Sequence, residues 1–246
     1  MSSASLIRVL QSIAERLGLH VTSTGRAGVR YWSDLSRIRS RVAFRQIIDV
    51  GAHRGETALE FADRFPNATI YSFEPDPTNY DALVAATSHV SGRVRCIRSA
   101  VSNDEGEKTF HRDADSHWHS LRPDAVRAGT DNVLVQTQTL DAFWRSEGFG
   151  QIDLLKTDTQ GHDLNVLRGA EPLLIAGKVD FVYTEVGFSP TDTANTSFPN
   201  ILSYLGEQGF HVLGLYAGFI WERPWRLGYA NALFVHERVG ADQRVS

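Results

Sequence analysis

The spacing of apolar residues changes near residue 45 and divides the chain into two parts. Upstream, apolar residues recur at helical spacing over residues 4–18 with charged residues between them, which predicts an amphipathic helix. A second short helix is expected over residues 31–41. We therefore predict an N-terminal helical extension over residues 1–44. Three roles are open for this extension: it packs on the main domain, it covers the active site, or it forms a homodimer contact.

From residue 46, short apolar runs alternate with segments of helical periodicity, which is typical of a parallel sheet with helices on both faces. A helix is expected over residues 162–175. Two closing strands at 210–216 and 229–237 are expected to flank an aromatic loop and to form an antiparallel edge. The pattern thus predicts an α/β domain over residues 45–240. The other predicted strands are 46–50, 68–75, 93–102, 152–158 and 179–186.

Residues 101–140 depart from this alternation. Two short stretches of alternating polarity, 108–113 and 133–140, flank a polar loop, so we predict an inserted hairpin or flap. In a strand, the imidazoles and carboxylates between His111 and His119 share one face, and a zinc or other divalent-metal site is one interpretation.

We favour a flap without a metal, in which three polar side chains lie over the ligands of the site. These side chains are His117, His119 and Ser120.

Composition narrows the function classes. The chain has 246 residues and a net charge of −4 with no run of like charge, so nothing indicates a nucleic-acid partner. The lone Cys96 excludes an internal disulfide and is expected in the core, and a chain without disulfides suits the cytoplasm. No segment approaches the roughly 18 apolar residues that a membrane span needs.

A glycine-containing turn follows the first predicted strand. Gly51 and Gly55 bracket it, a helix starts near Thr57, and free N–H groups at a helix start suit a cofactor. Glu74 ends the second strand about twenty residues later, a spacing that suits a carboxylate binding ribose hydroxyls. His53 stands where a dinucleotide fingerprint has glycine, so the turn favours a cofactor without phosphates.

Four segments resemble the FkbM family of methyltransferases in order and spacing: DVGAHRGETALEF, SFEPDPTNYDAL, LLKTDTQGHDLNVLRGAEPLL and ANALFV. The resemblance covers residues 45–236, and the third segment is its most specific part. It implies a Rossmann-like class I methyltransferase fold with S-adenosyl-L-methionine as cofactor. It also implies O-methylation of a hydroxyl on a small-molecule acceptor, either a sugar or another secondary metabolite.

The resemblance further implies roles for individual residues. Asp49 and Gly51 would line the methionine part of the cofactor, and Glu74 would hold its ribose. Ser99 and Ala100 would lie near the adenine. His53, Gly55 and Thr57 complete the predicted cofactor set.

Candidate catalytic groups follow the later strands, because ligands of open α/β sheets bind beyond the carboxyl ends of the strands. Methylation of a hydroxyl needs a general base, and Asp158 is our first candidate, with His162 second. A helix-capping role for Asp158 and a surface position for His162 are the alternatives. Glu185 is expected to accept a hydrogen bond from a substrate hydroxyl.

An aromatic stretch near the C-terminus completes the candidate site. Trp221 lies in it and suits a sugar ring, although a packed loop is an alternative. N-methylation of a small-molecule amine, a nicotinamide-dependent oxidoreductase and a non-catalytic binding module are the rival functions.

Overall fold

The computed structural model describes residues 30–38, 44–112, 119–122, 131–192, 194–222 and 225–239. The helix predicted over residues 4–18 lies outside these ranges, and so does His117. Helix α1 (Tyr31–Ile38) is the described part of the helix predicted over 31–41.

Eight helices and strands form the first half of the described domain, and eight form the second half. The first are β1 (Gln46–Val50), α2 (Glu56–Arg64), β2 (Thr69–Phe73), α3 (Pro77–Thr87), β3 (Val94–Ile97), β4 (Ala100–Val101), β5 (Gly106–Arg112) and β6 (Asp131–Gln138). A short 3₁₀ turn, Ser88–Val90, follows α3. The others are α4 (Leu140–Glu147), β7 (Ile152–Thr157), α5 (Asp163–Gly169), α6 (Glu171–Ile175), β8 (Val179–Gly187), α7 (Phe198–Glu207), β9 (Phe210–Glu222) and β10 (Trp225–His236).

The main sheet has seven strands in the order β3-β2-β1-β7-β8-β10-β9. The first five are parallel to one another, whereas β10 runs antiparallel to β8 and β9 antiparallel to β10. The prediction of a mostly parallel sheet with an antiparallel edge is therefore confirmed.

The central strands are buried on both faces, which explains their continuous apolar runs. Neighbouring residues on β7, Leu154 and Leu155, are both fully buried but belong to different hydrophobic clusters. The cluster that contains Leu154 packs α1, α2 and α3 against one face of the sheet. The cluster that contains Leu155 packs α5, α6 and α7 against the opposite face. Helix α1 joins the first cluster through Leu35, and its Tyr31 ring stacks on Tyr183.

The insertion forms a second sheet of three strands in the order β4-β6-β5. Strands β5 and β6 pair antiparallel, as the predicted hairpin requires. The third strand predicted over 93–102 is divided, because β3 ends at Ile97 and β4 pairs with β6 in the second sheet.

Two other predicted elements differ from the structure. The helix predicted over 162–175 is interrupted at Ala170, which ends α5 and begins α6. The predicted aromatic loop is strand instead, since β9 and β10 pair out to Glu222 and Trp225. Cys96, expected in the core, is only half-buried, and its Sγ lies 3.4 Å from Thr87 Oγ1.

Candidate active site

A cavity of about 320 Å³ opens at the carboxyl ends of β1, β2 and β7. Its walls come from the turn after β1, the end of β2, the insertion and the turn before α5. Nine of the residues predicted for the site line it: Gly51, His53, Thr57, Glu74, Ser99, Ala100, His119, Asp158 and His162.

The Gly51 turn holds the ends of β1 and β7 together. Gly51 has a φ of 76°, and a Cβ there would overlap the backbone carbonyl oxygen of Asp158. The Asp158 N–H donates to the Val50 carbonyl at 3.1 Å. Glycine is thus required by both its conformation and the close approach of the two backbones.

The Glu74 carboxylate is fixed by two backbone donors. The N–H of His53 donates to Oε2 and that of Asp76 to Oε1, both at 2.9 Å. Burial raises the pKa of Glu74 to about 8, against the opposing effect of those two hydrogen bonds. The carboxyl group therefore lies in a set position on the cavity wall and changes charge near neutral pH.

Two predicted cofactor residues do not line the cavity. Gly55, with a φ of 98°, packs against α3, where an added Cβ would lie 3.0 Å from Leu83 Cδ1. Asp49 is fully buried beneath the turn, with Oδ1 3.1 Å from Lys156 Nζ. Gly55 therefore serves helix packing, and Asp49 holds a lysine that does line the cavity.

Asp158 reaches the cavity and stays partly exposed. Its Oδ1 accepts a hydrogen bond from Gln160 Nε2 at 3.1 Å, and its Oδ2 lies 3.9 Å from Lys156 Nζ. No described hydrogen bond makes it a cap of α5. Asp163 stabilises the turn before α5 instead, because its carboxylate accepts hydrogen bonds from Thr159 N at 3.2 Å and from Thr196 Oγ1 at 3.1 Å.

His162 is buried, so the alternative of a surface position is wrong. Its Nδ1 lies 3.2 Å from Asn165 Nδ2, an amide donor, and its Nε2 lies 3.1 Å from Ser102 Oγ. Among the residues that the structure describes, no carboxylate is hydrogen-bonded to the ring. Burial lowers the pKa of His162 to about 4, and the ammonium of Lys108 adds to this effect. The imidazole is therefore neutral at pH 7, with both nitrogens engaged.

The insertion contacts the turn before α5. Ser120 does not line the cavity; its Oγ donates to the Gln160 carbonyl at 3.0 Å, and its backbone bridges His111. His119 lines the cavity with its ring edge against Phe110. The described part of the predicted flap thus closes one wall of the cavity.

Glu185 lies at the end of β8, outside the cavity lining. Burial raises the pKa of Glu185 to about 8, and the neighbouring carboxylates of Asp158 and Asp163 contribute. Trp221 lies on β9, and its side chain is outside what the structure describes.

Within the described ranges, no three His, Cys, Asp or Glu side chains converge as metal ligands. Residues 113–118, the centre of the metal interpretation, lie outside those ranges. None of the helices described is both long and apolar enough to cross a bilayer.

The sequence argument missed several residues of the site. Lys156 and Gln160 line the cavity beside Asp158, and Phe110 and Leu121 form its apolar wall. A charged residue within the buried run of β7 was the available signal for Lys156, since lysine is rarely buried without a partner.

The glycine turn after β1, the acid after β2 and their shared cavity at the carboxyl ends of the strands are features of an α/β domain of the Rossmann-like class. The Methyltransferase FkbM domain matches residues 49–212, and the chain belongs to this family.

Two curated relatives and one solved structure illustrate the similarity. The 2-O-methyltransferase NoeI of Sinorhizobium fredii is 29% identical over 56% of this chain and 62% of its own length. The hexuronic acid methyltransferase AglP of Haloferax volcanii is 26% identical over 58% of this chain and 57% of its own. The chain thus spans about three fifths of the length of these relatives.

The crystal structure of Methyltransferase FkbM from Methylobacillus flagellatus KT has a similar fold. Its TM-score is 0.54 at 14% identity, over 85% of this chain and 48% of that chain.

Proposed function

We propose that the protein is an S-adenosylmethionine-dependent O-methyltransferase. The observation that carries the proposal is that one cavity joins the Glu74 carboxylate, at the end of β2, to the Asp158 carboxylate, at the end of β7. The first suits a ribose diol, and the second suits a proton acceptor next to the transferred group.

The residues of the cavity fit this cofactor. Glu74 is buried and held by two N–H donors, and its remaining lone pairs are available to accept hydrogen bonds from the hydroxyl groups of a ligand. Ser99, Ala100 and the apolar Phe110 offer a wall for the flat adenine. The bound cofactor supplies a methyl group on a sulfonium, which is already activated for transfer.

Asp158 is the proposed general base. Its carboxylate is partly exposed, and Gln160 fixes one of its oxygens, which leaves the other to accept the proton of an acceptor hydroxyl. His162 suits this role less, because the ring is buried and both of its nitrogens already contact protein groups, Ser102 Oγ and Asn165 Nδ2. We assign His162 to hold the wall of the cavity through Ser102 and Asn165.

The proposed acceptor is a hydroxyl of a sugar or another secondary metabolite. The names of the two relatives, a 2-O-methyltransferase and a hexuronic acid methyltransferase, support this class. Glu185 follows Thr184, the partner of Thr157 in the sheet, and interacts electrostatically with Asp158; it offers a further acceptor for hydrogen bonds from a polyhydroxylated substrate.

Calorimetric titration with S-adenosylhomocysteine tests the cofactor assignment. We expect wild-type protein to bind it with micromolar affinity, and Glu74→Ala to weaken binding at least about tenfold, the order of 1.4 kcal/mol that one hydrogen-bonded carboxylate contributes. The exposed Glu105→Ala is the matched control and should bind as wild type does. Binding of NADH instead of S-adenosylhomocysteine would overturn the proposal in favour of an oxidoreductase.

The role of Asp158 is tested with candidate sugar acceptors and a labelled methyl donor. Asp158→Asn is nearly isosteric and should keep S-adenosylhomocysteine affinity while lowering the transfer rate about 10²–10⁴-fold, the usual contribution of a general base. His162→Gln should retain most of the rate. The opposite ranking of the two variants would assign the proton transfer to His162.

A further inference from the structure

Lys156 is a buried cation in a cavity that the proposed function fills with another cation. Its side chain extends from β7 beneath the Gly51 turn and lines the cavity. Nζ donates to the Gly51 carbonyl at 3.0 Å and lies 3.1 Å from Asp49 Oδ1. The reaction mechanism proposed above gives this residue no role.

The position of Lys156 is set by partners on one side. Asp49, on the neighbouring strand β1, faces Lys156 across the sheet and is fully buried. The ammonium donates to Gly51 O and pairs with the Asp49 carboxylate, and on the side of the cavity Asp158 Oδ2 lies 3.9 Å away.

Carboxyl groups cluster near this end of the cavity. Asp158 follows β7 and lines the cavity, whereas Asp163, at the start of α5, and Glu185, near the end of β8, lie outside the lining; the three groups interact electrostatically with one another. Burial lowers the pKa of Lys156, but the carboxylates of Asp49 and Asp158 together raise it by more. The net shift of the pKa is therefore upward, and the ammonium stays charged. The lysine therefore offsets part of a local excess of carboxylates.

This offset matters for a donor that loses its positive charge when the methyl group leaves. A purely acidic site stabilises the sulfonium of the donor more than the neutral thioether of the product. Such ground-state stabilisation does not accelerate transfer.

Resting on the proposed function, we propose that Lys156 is the specificity-determining charge of the cofactor cavity: it weakens the preference for the cationic donor over the neutral product.

The test is the ratio of the dissociation constants of S-adenosylhomocysteine and S-adenosylmethionine, measured by calorimetry at low ionic strength without an acceptor. Lys156→Met combined with Asp49→Asn removes the ammonium without leaving a buried carboxylate unpaired. We expect this double variant to shift the ratio toward the cationic donor by about twofold to threefold, because the removed ammonium lines the cavity, whereas the removed Asp49 carboxylate lies outside the lining and cancels only part of the effect.

Two further variants separate charge from structure. Asp49→Asn alone keeps the ammonium and removes its counter-charge, so the ratio should shift toward the neutral product. Lys156→Arg keeps the charge and should restore a ratio within about twofold of wild type. A loss of fold stability alone does not change the relative affinity for two ligands that differ by one methyl group and one charge.

The outcomes separate the two proposals. An unchanged ratio in the folded double variant, or a shift toward the neutral product, would overturn the role of Lys156. If the double variant does not fold, Asp49→Asn decides the question, and the absence of its expected shift contradicts the proposal. Failure of wild-type protein to bind either ligand would instead contradict the proposed function.

Discussion

Gly51 and Gly148 provide a comparison of two glycines with similar backbone conformations, since their φ values are 76° and 68°. A Cβ on Gly51 would overlap the carbonyl oxygen of Asp158, whereas one on Gly148 would meet open space. We expect Gly51→Ala to lower the free energy of unfolding by roughly 2–4 kcal/mol and Gly148→Ala by about 1 kcal/mol.

Urea denaturation of the two variants measures both losses. Equal losses would contradict the interpretation that the approach of β1 and β7 requires glycine at position 51, and would leave backbone conformation as the whole cause.

His162 makes the stability of the protein depend on pH. Its pKa falls from about 6.5 in the unfolded chain to about 4 in the folded protein, mainly through burial. Between these two pH values the unfolded chain binds a proton at His162 that the folded protein does not bind. The contribution of the neutral ring to the free energy of unfolding is therefore fully present above pH 6.5 and is lost as the pH falls through 4. The total is roughly 3 kcal/mol.

Urea unfolding from pH 7 to pH 4 tests this prediction through its slope. His162→Gln should flatten the dependence, whereas His211→Gln, at an exposed position on β9, should leave it as in wild type. A wild-type slope that persists in His162→Gln would assign the effect to other groups.

At the scale of residues, the sequence was enough to predict those site residues whose position follows from the neighbouring strand or helix. Gly51, Glu74 and Asp158 stand at strand ends, where alternation of strands and helices already places a site. The pairing of Asp49 with Lys156 joins residues more than a hundred positions apart, and only the parallel register of β1 and β7 brings them together.

At the scale of elements, Asp76 joins the insertion to the main sheet. It caps α3 by accepting from Thr78 N and Asn79 N, and its Oδ2 lies 2.6 Å from Arg112 Nε on β5. Because Asp76 is fully buried, this ion pair should couple far more strongly than an exposed one.

A double-mutant cycle of Asp76→Ala and Arg112→Met measures that coupling by urea unfolding. We expect a coupling free energy of roughly 1–3 kcal/mol, against a few tenths for the exposed pair Asp141 and Arg145 on α4. A coupling near zero for the first pair would mean that the insertion is held by its other contacts.

Element boundaries were predictable where the local apolar pattern determines them, as for β1 and β7. The break between α5 and α6 had a local signal in Pro172, which lacks a backbone N–H and stands at the start of α6. The close approach of Gly169 to the Ser102 carbonyl oxygen, in contrast, depends on a distant segment. The length of the β9–β10 hairpin likewise depends on cross-strand pairing, since neither strand has a regular alternation near its tip.

At the scale of the molecule, the main sheet separates the two large hydrophobic clusters of the described residues, and a small third cluster lies in the insertion. Leu83 on α3 belongs to the cluster on one face, and Leu174 on α6 belongs to the cluster on the other, and both side chains are fully buried. Each Leu→Ala change creates a cavity and should lower the free energy of unfolding by roughly 2–5 kcal/mol.

Because the sheet separates these two sites, the double variant Leu83→Ala with Leu174→Ala should lose the sum of the single losses within about 0.5 kcal/mol. The comparison pair, Leu167→Ala with Leu174→Ala, lies within one cluster on α5 and α6, where relaxation around one cavity changes the cost of the other. That pair should deviate from the sum by about 0.5 kcal/mol or more.

Urea unfolding followed by both fluorescence and circular dichroism measures the losses. Coincident transitions with additivity across the sheet support one cooperative domain with two independently packed faces, and a large deviation for the first pair would show that packing strain passes through the sheet.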